Sequence, residues 1–219
     1  DLVVVFPGGD KSLIKERVAT YYPLGYQSTY LIGITAALAS KTKKVGYIVS
    51  NPIPPLLAEV NAFYQGVKDT NPAISVDIMT TGSWFDPTRE AESAQALAGS
   101  GVDFIAFQLN SLAVIDVAKK RGIMVAPPFA DQRYLAPDNV AVCSLWNWES
   151  YYEDMIKKVK AGTWKTSVKY WGIKEGMADI SEFGTMISTE VKAKVLAKRE
   201  EIINGSYTVP YVIDRNLWE

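Results

Sequence analysis

The chain predicts an α/β fold built on a doubly wound parallel sheet, and three observations carry that prediction. From Lys44 onward, strand-like and helix-like segments alternate. One strand, VDFIAF at 102–107, is a continuous apolar run after Asp103, as expected where both faces of a sheet are covered. The connections are short, which suits right-handed strand–helix–strand crossovers.

KVGYIVS (44–50) is the first strand of the series. A helix follows over about Pro54 to Thr70, with Leu56, Val60, Phe63, Tyr64 and Val67 at helical spacing, and Asn71-Pro72 stops it. Ser75 to Thr80 is the next strand. Asp86-Pro87 then supplies an N-cap and a proline at the first helical position. That helix turns Ala91, Ala94, Leu97 and Ala98 inward and ends near Gly99-Ser100-Gly101. After VDFIAF, Ser111 caps a short helix to Lys120, and Gly122 ends it. IMVAPPF (123–129) and VAVCSL (140–145) complete a set of five strands joined by four crossovers. Residues 1–43 add a strand (Leu2 to Phe6), a glycine turn and a buried helix, Tyr30 to Ser40. A further helix, Tyr151 to Ala161, carries Tyr152, Met155, Ile156 and Val159 on one side. Residues 168–185 read as strands and loops, and a last helix runs from about Thr189 to Asn204 with Val191, Val195 and Ile202 inward.

Composition narrows the function. The 219 residues carry a formal charge of -1, with no basic excess to call for nucleic acid and no acidic block. There is no histidine, which removes Ser-His-Asp and Cys-His catalysis and the usual zinc sites. Cys143 is the only cysteine; it sits in an apolar run and reads as a buried core thiol. The longest apolar stretch, Tyr30 to Ala39, is too short for a membrane span and contains Gly33. Gly8-Gly9 follows a strand, but no GxGxxG or GxxxxGK[ST] pattern is present. Asp103 begins a strand and Asp116 lies in a helix, so neither converges with Asp131 on a metal. Neither a metal nor a cofactor is expected.

In an open α/β sheet, ligands bind beyond the carboxyl ends of the strands. Those ends carry Ser50-Asn51-Pro52, Gly82-Ser83-Trp84-Phe85, then Gln108, Asn110 and Ser111, then Asp131-Gln132, and finally Trp146-Asn147-Trp148. Amides, hydroxyls, one carboxylate and aromatics make a recognition surface without an acid–base pair or activated nucleophile, so no enzyme is read here. Such groups suit a neutral, planar, polar ligand. Trp146 and Trp148 offer stacking faces, Asn147 hydrogen-bonding edges, and Asp131 an acceptor for hydroxyl or ring N–H groups. The other reading of the two indoles is packing beside a hinge, and that of Asp131 a loop or capping residue.

The matching stretches TYYPLGYQSTYLIG (20–33), KVGYIVSNPIP (44–54), VNAFYQGVKDTNP (60–72), TGSWFDPTREAE (81–92), SLWNWESYY (144–152), AGTWK (161–165) and YWGIKEGMADISEFG (170–184) cover nearly the whole chain. In order and spacing they resemble the basic membrane protein family, the extracytoplasmic substrate-binding proteins of ABC importers that include purine nucleoside receptors. The resemblance implies a type I periplasmic-binding fold: two doubly wound lobes, a hinge, and a ligand held between them. It also implies that the N-lobe is incomplete in this chain. Residues 1–43 and about 146–167 would belong to the N-lobe, and 44–145 and about 168–219 to the C-lobe.

Asp131 matches the family's aspartate after the fourth strand of that lobe. The receptors' lysine near Trp146-Asn147 is replaced here, which looks like the branch taking free purine bases such as adenine. The usual QHxDS pattern reads Gln108-Leu109-Asn110-Ser111. Lys174 in WGIKEG either faces the cleft or is structural. The expected ligand contacts are therefore Trp146, Asn147, Trp148, Asp131, Gln108, Asn110, Trp84 and Lys174. The expected partners are a purine base or nucleoside and a membrane ABC permease. The expected location is extracytoplasmic, with a lipid anchor through a cysteine ahead of residue 1. The alternative is the ligand-sensing domain of a regulator with the same fold.

Overall fold

The computed structural model describes residues 3–9 and 11–215. Leu2, read as the start of the first strand, lies outside the described residues. That strand is β1, Val4–Pro7. It runs parallel to β2, Val18–Pro23, which on its other side pairs in parallel with β8, Val168–Trp171. Helix α1 follows β2 and spans Gly25–Ala39, starting a turn ahead of the expected Tyr30. Its first turn is illegible in sequence because Leu24 offers no side-chain cap and Pro23 reads as a stop.

A second sheet has the order β4-β3-β5-β6, all parallel. Its strands are β3 (Lys44–Val49), β4 (Ser75–Thr80), β5 (Phe104–Gln108) and β6 (Met124–Ala126). Side chains alternate across it, as period-two geometry demands. Val45, Tyr47 and Val49 join one core with α1, with α2 (Pro54–Thr70) and with α6 (Thr189–Asn204). Ile48, Ile105 and Phe107 join another with α3 (Pro87–Gly99) and α4 (Ala113–Arg121). A cap fixes α3 where the sequence places it. Asp86 Oδ1 accepts from Arg89 N at 3.1 Å while Asp86 N donates to Glu90 Oε1 at 3.0 Å. Helix α4 starts one residue later than a Ser111 cap implies. Leu112 is its N-cap, without a side-chain cap bond, while Ser111 Oγ accepts from Ala113 N at 3.2 Å just ahead of it. Gly122 closes α4 at φ 65°.

Helices α1 and α2 meet closely. A Cβ on Gly33 would lie 2.2 Å from the Phe63 carbonyl oxygen, and one on Gly66 would lie 2.2 Å from the Tyr30 carbonyl oxygen. Two glycines, one per helix, thus let backbone approach backbone. The polar residues of buried α1 turn inward on its own turns: Thr35 Oγ1 donates to Leu31 O at 2.9 Å and Ser28 Oγ to Gly25 O at 2.7 Å.

The expected fifth parallel strand at 140–145 is only partly present. Val125 N donates to Asn139 O at 2.8 Å and Ala141 N to Val125 O at 2.9 Å, so the segment starts along β6. Pro127 and Pro128 then remove the donors that would continue the ladder. Residues Ser144–Trp146 instead form β7, antiparallel to β9 (Ala178–Ile180). Helix α5 spans Trp148–Lys160 and buries Tyr151, while Tyr152, Ile156 and Val159 stay exposed. Two segments pack across the boundaries expected from sequence. Helix α1, within 1–43, lies along α2, and β8, within 168–219, pairs with β2. Among the described residues no helix is long and apolar enough to cross a membrane.

Strand β9 is tied to α6 by a part-buried fork: Arg199 Nε donates to Asp179 Oδ1 at 2.7 Å and Nη2 to Oδ2 at 2.5 Å. Asp179→Ala leaves that guanidinium without its fork partner. The expected loss is about 2 kcal/mol of unfolding free energy in urea titrations; a loss below about 0.5 kcal/mol would mark the fork as energetically idle.

Candidate functional site

The site is built where β2 ends and α1 begins. Pro23 and Leu24 turn the chain, and Gly25 opens the helix. The face of Gly25 that would carry a Cβ is occupied from two sides. Glu59 Oε1 comes within 2.6 Å of that point and Trp146 Nε1 within 2.9 Å. A glycine here lets an acidic group from α2 and an indole from the end of β7 meet over the turn at Pro23 to Gly25.

Trp146 is ringed by aromatics that all meet it edge-on. Phe129 lies at 4.8 Å and 74°, Tyr22 at 5.7 Å and 67°, and Trp148 at 5.7 Å and 89°. The Trp146 backbone N–H donates to Phe129 O at 2.9 Å, and Phe129 itself holds φ 73°. The hydroxyls of Ser28 and Ser144 share a hydrogen bond at 2.7 Å, which ties α1 to β7 next to the indole.

Beside this cluster is a cavity of about 390 Å³. Its walls come from the carboxyl ends of the first sheet (Gly8, Tyr22, Tyr170), from Tyr26, and from Tyr211 near the C-terminus. Pro54 and Glu59 of α2 supply the opposing side. Glu59 is 2% exposed. Burial alone pushes its carboxyl from the ordinary 4.5 up to about 8. Burial likewise raises the phenols of Tyr22 and Tyr47, and the charge of Glu59 raises both further. The Tyr47 hydroxyl is buried and has no hydrogen-bond partner in the protein.

The residues expected from sequence are distributed around this centre, and none of them lines the cavity itself. Trp146 reaches its edge at Gly25. Asn147 caps α5, its Oδ1 accepting from Glu149 N at 3.3 Å. Trp148 packs edge-on against Tyr21 at 5.7 Å, in a small core with Tyr151 and Met177. Asp131 is exposed and held in a fork by Arg133, with Nη2 to Oδ2 at 2.7 Å and Nε to Oδ1 at 3.0 Å. That hydrogen bonding keeps its carboxyl below the usual range. Gln108 is buried at the end of β5, Asn110 and Trp84 are exposed beyond the strand ends, and Lys174 is exposed in the turn after β8. Among the described residues no three His, Cys, Asp or Glu side chains gather as metal ligands.

Glu59 is the residue that sequence reasoning passed over, although a signal was there. Leu56, Val60, Phe63 and Val67 mark the buried stripe of α2, and Glu59 falls on that same stripe. An acid on an apolar stripe is an anomaly that singles out a candidate position. The tyrosine walls carried no such local signal, because they come from three separate parts of the chain.

Residues 11–212 match the family described as ABC transporter substrate-binding protein, PnrA-like. The chain belongs to that family. A purine-binding protein of Brucella abortus is 37% identical over 171 residues, which is 78% of this chain and 49% of that protein. A nucleoside-binding protein of an ABC transporter in Lactococcus lactis is 27% identical, over 84% of this chain and 58% of its own length. The chain therefore spans about half the length of these relatives. A solved solute-binding protein of an ABC transporter system from Conexibacter woesei shares the fold with a TM-score of 0.81 at 19% identity, covering 96% of this chain and 72% of that one. The family's description is that of a substrate-binding protein. The fold is the α/β, parallel-sheet architecture of periplasmic binding proteins.

Proposed function

We propose that this chain is the ligand-holding part of an extracytoplasmic binding protein that captures a purine base or purine nucleoside and presents it to an ABC permease. The observation that carries this reading is the tyrosine-walled cavity abutting Trp146. Its volume of about 390 Å³ lies within the range of small-molecule sites. Its lining combines flat aromatic surface with one polar group on α2, which is the composition a planar heteroaromatic needs. Family membership and the purine- and nucleoside-binding names of two relatives support the same ligand class.

In this reading ligand binding draws the two sheets together about the turn at Pro23 to Gly25, and the ligand stabilises the closed form by touching both sides. Trp146 borders the cavity at Gly25, and the tyrosines supply its walls. Calorimetric titration of the purified chain with adenine, adenosine and glucose tests the ligand class. Purine binding without glucose binding is the expected result, and glucose binding without purine binding overturns the reading. Trp146→Ala is expected to weaken purine binding by about 1–3 kcal/mol, a loss of roughly 5- to 150-fold. Unchanged affinity in both Trp146→Ala and Trp148→Ala would remove the tryptophans from the site.

A further inference from the structure

We propose that Glu59 is the specificity-determining residue of the cavity, its carboxyl pairing with a ligand edge that sets an N–H donor beside a ring-nitrogen acceptor, as the amidine edge of adenine does. The proposal rests on the purine reading above and deepens it.

The geometry comes first. Glu59 projects from the buried stripe of α2 into a cavity whose other walls are phenolic rings and backbone turns. Among the described residues no lysine or arginine lines the cavity, so a carboxylate there would have no counter-ion among them. An uncompensated buried charge is costly enough that the group takes up a proton instead. The value of about 8, set by burial, agrees with this. A carboxylate only accepts hydrogen bonds, whereas a neutral carboxyl offers one donor and one acceptor side by side. That pair is complementary to an amino group next to a ring nitrogen. The Trp146 indole N–H, which meets the same face of Gly25, adds a second donor beside it.

Among the described residues the titratable groups lining the cavity with Glu59 or sensing its charge are phenols. They are Tyr22 on β2, Tyr26 on α1, Tyr47 on β3, Tyr170 on β8 and Tyr211 near the C-terminus. Burial raises the pKa of Tyr22, Tyr26, Tyr47 and Tyr211, which keeps them neutral through neutral pH. Tyr170 donates its hydroxyl to Gly9 O at 2.5 Å. The ligand edge is therefore read by a group whose state changes near pH 8.

The test is calorimetry on the purified chain with two probes, adenine and unsubstituted purine, at about pH 7 and about pH 9. Purine keeps the ring nitrogens and lacks the amino donor. Wild type is expected to bind adenine at least about tenfold tighter than purine at the lower pH, because purine leaves a buried acceptor unpaired. Its adenine affinity is expected to fall about tenfold at the higher pH as the carboxyl ionises. Glu59→Gln preserves a donor and an acceptor without a titrating proton, so it is expected to keep adenine binding and lose that fall. Any ionisation of adenine itself affects both proteins alike. Equal binding of the two probes, a flat wild-type profile, or an undiminished fall in Glu59→Gln overturns the edge-reading role while leaving purine binding standing. Absence of binding by either probe overturns both readings together. The wild-type profile decides the matter even if the variant folds poorly.

Discussion

Replacing Gly33 or Gly66 with alanine is expected to cost the folded chain about 3 kcal/mol, seen as a lower urea midpoint with unchanged slope. Two effects compete. Alanine is the better helix former by about 1 kcal/mol, so an exposed helical glycine would gain from the change. Here the new Cβ would sit 2.2 Å from a carbonyl oxygen of the partner helix, Phe63 O for Gly33 and Tyr30 O for Gly66. A backbone oxygen cannot swing aside as a side-chain tip can, so the helices must separate and the contact loses its packing. The clash wins. The two sites also share one interface. Once one alanine has forced α1 and α2 apart, the second meets a gap, so the double variant is expected to lose less than the two single losses combined. Stabilisation by either single change would mean that the two helices do not approach as described.

Glu59→Gln is expected to stabilise the chain at neutral pH, by on the order of 3 kcal/mol at pH 7. The folded carboxyl has a pKa of about 8 against an ordinary 4.5, so folding takes up a proton between those values. Its contribution to stability is complete below about pH 4.5, declines by about 1.4 kcal/mol per unit up to about pH 8, and is flat above. Glutamine fits the same space and carries no such penalty. Urea unfolding of both proteins from about pH 5 to about pH 9 gives two curves whose difference isolates Glu59. The gap should open from the acid side and stop growing near pH 8. Parallel curves would show that the carboxyl is solvated in the folded state. Together with the binding experiment this separates two costs of the same residue: what it does to the fold, and what it recognises.

Much of the second sheet is legible in sequence because its signals are local. The bounds of α2 follow from Pro54 at its start and Asn71-Pro72 beyond its end, and those of α6 from Ser188, whose Oγ accepts from Val191 N at 3.3 Å, and from Gly205 at φ 80°. Pairing information is not local in this way. That β8 would join β2 depends on residues far apart in the chain, and nothing in VKYW names its partner. The loss of the fifth strand was written in Pro127-Pro128, but the apolar run after it outweighed that signal. Within the site, the tryptophan pair was visible as a motif, yet its members separate: Trp146 faces the turn at Pro23 to Gly25 while Trp148 belongs to a packing cluster. Glu59 went unread because a periodicity argument looks for the apolar members of a stripe and steps over the polar one.

Phe129 has a consequence for how a ligand can be held. Its φ of 73° is a conformation that costs a bulky residue about 1–2 kcal/mol, and the surrounding contacts hold it there. Its carbonyl accepts from the Trp146 N–H and its ring meets the indole edge-on, so each of the two half-buried side chains restrains the other. Part of the ordering penalty was met when the chain folded. Under the proposed reading, a ligand would meet an aromatic corner already held in shape, with less side-chain ordering left to offset on binding.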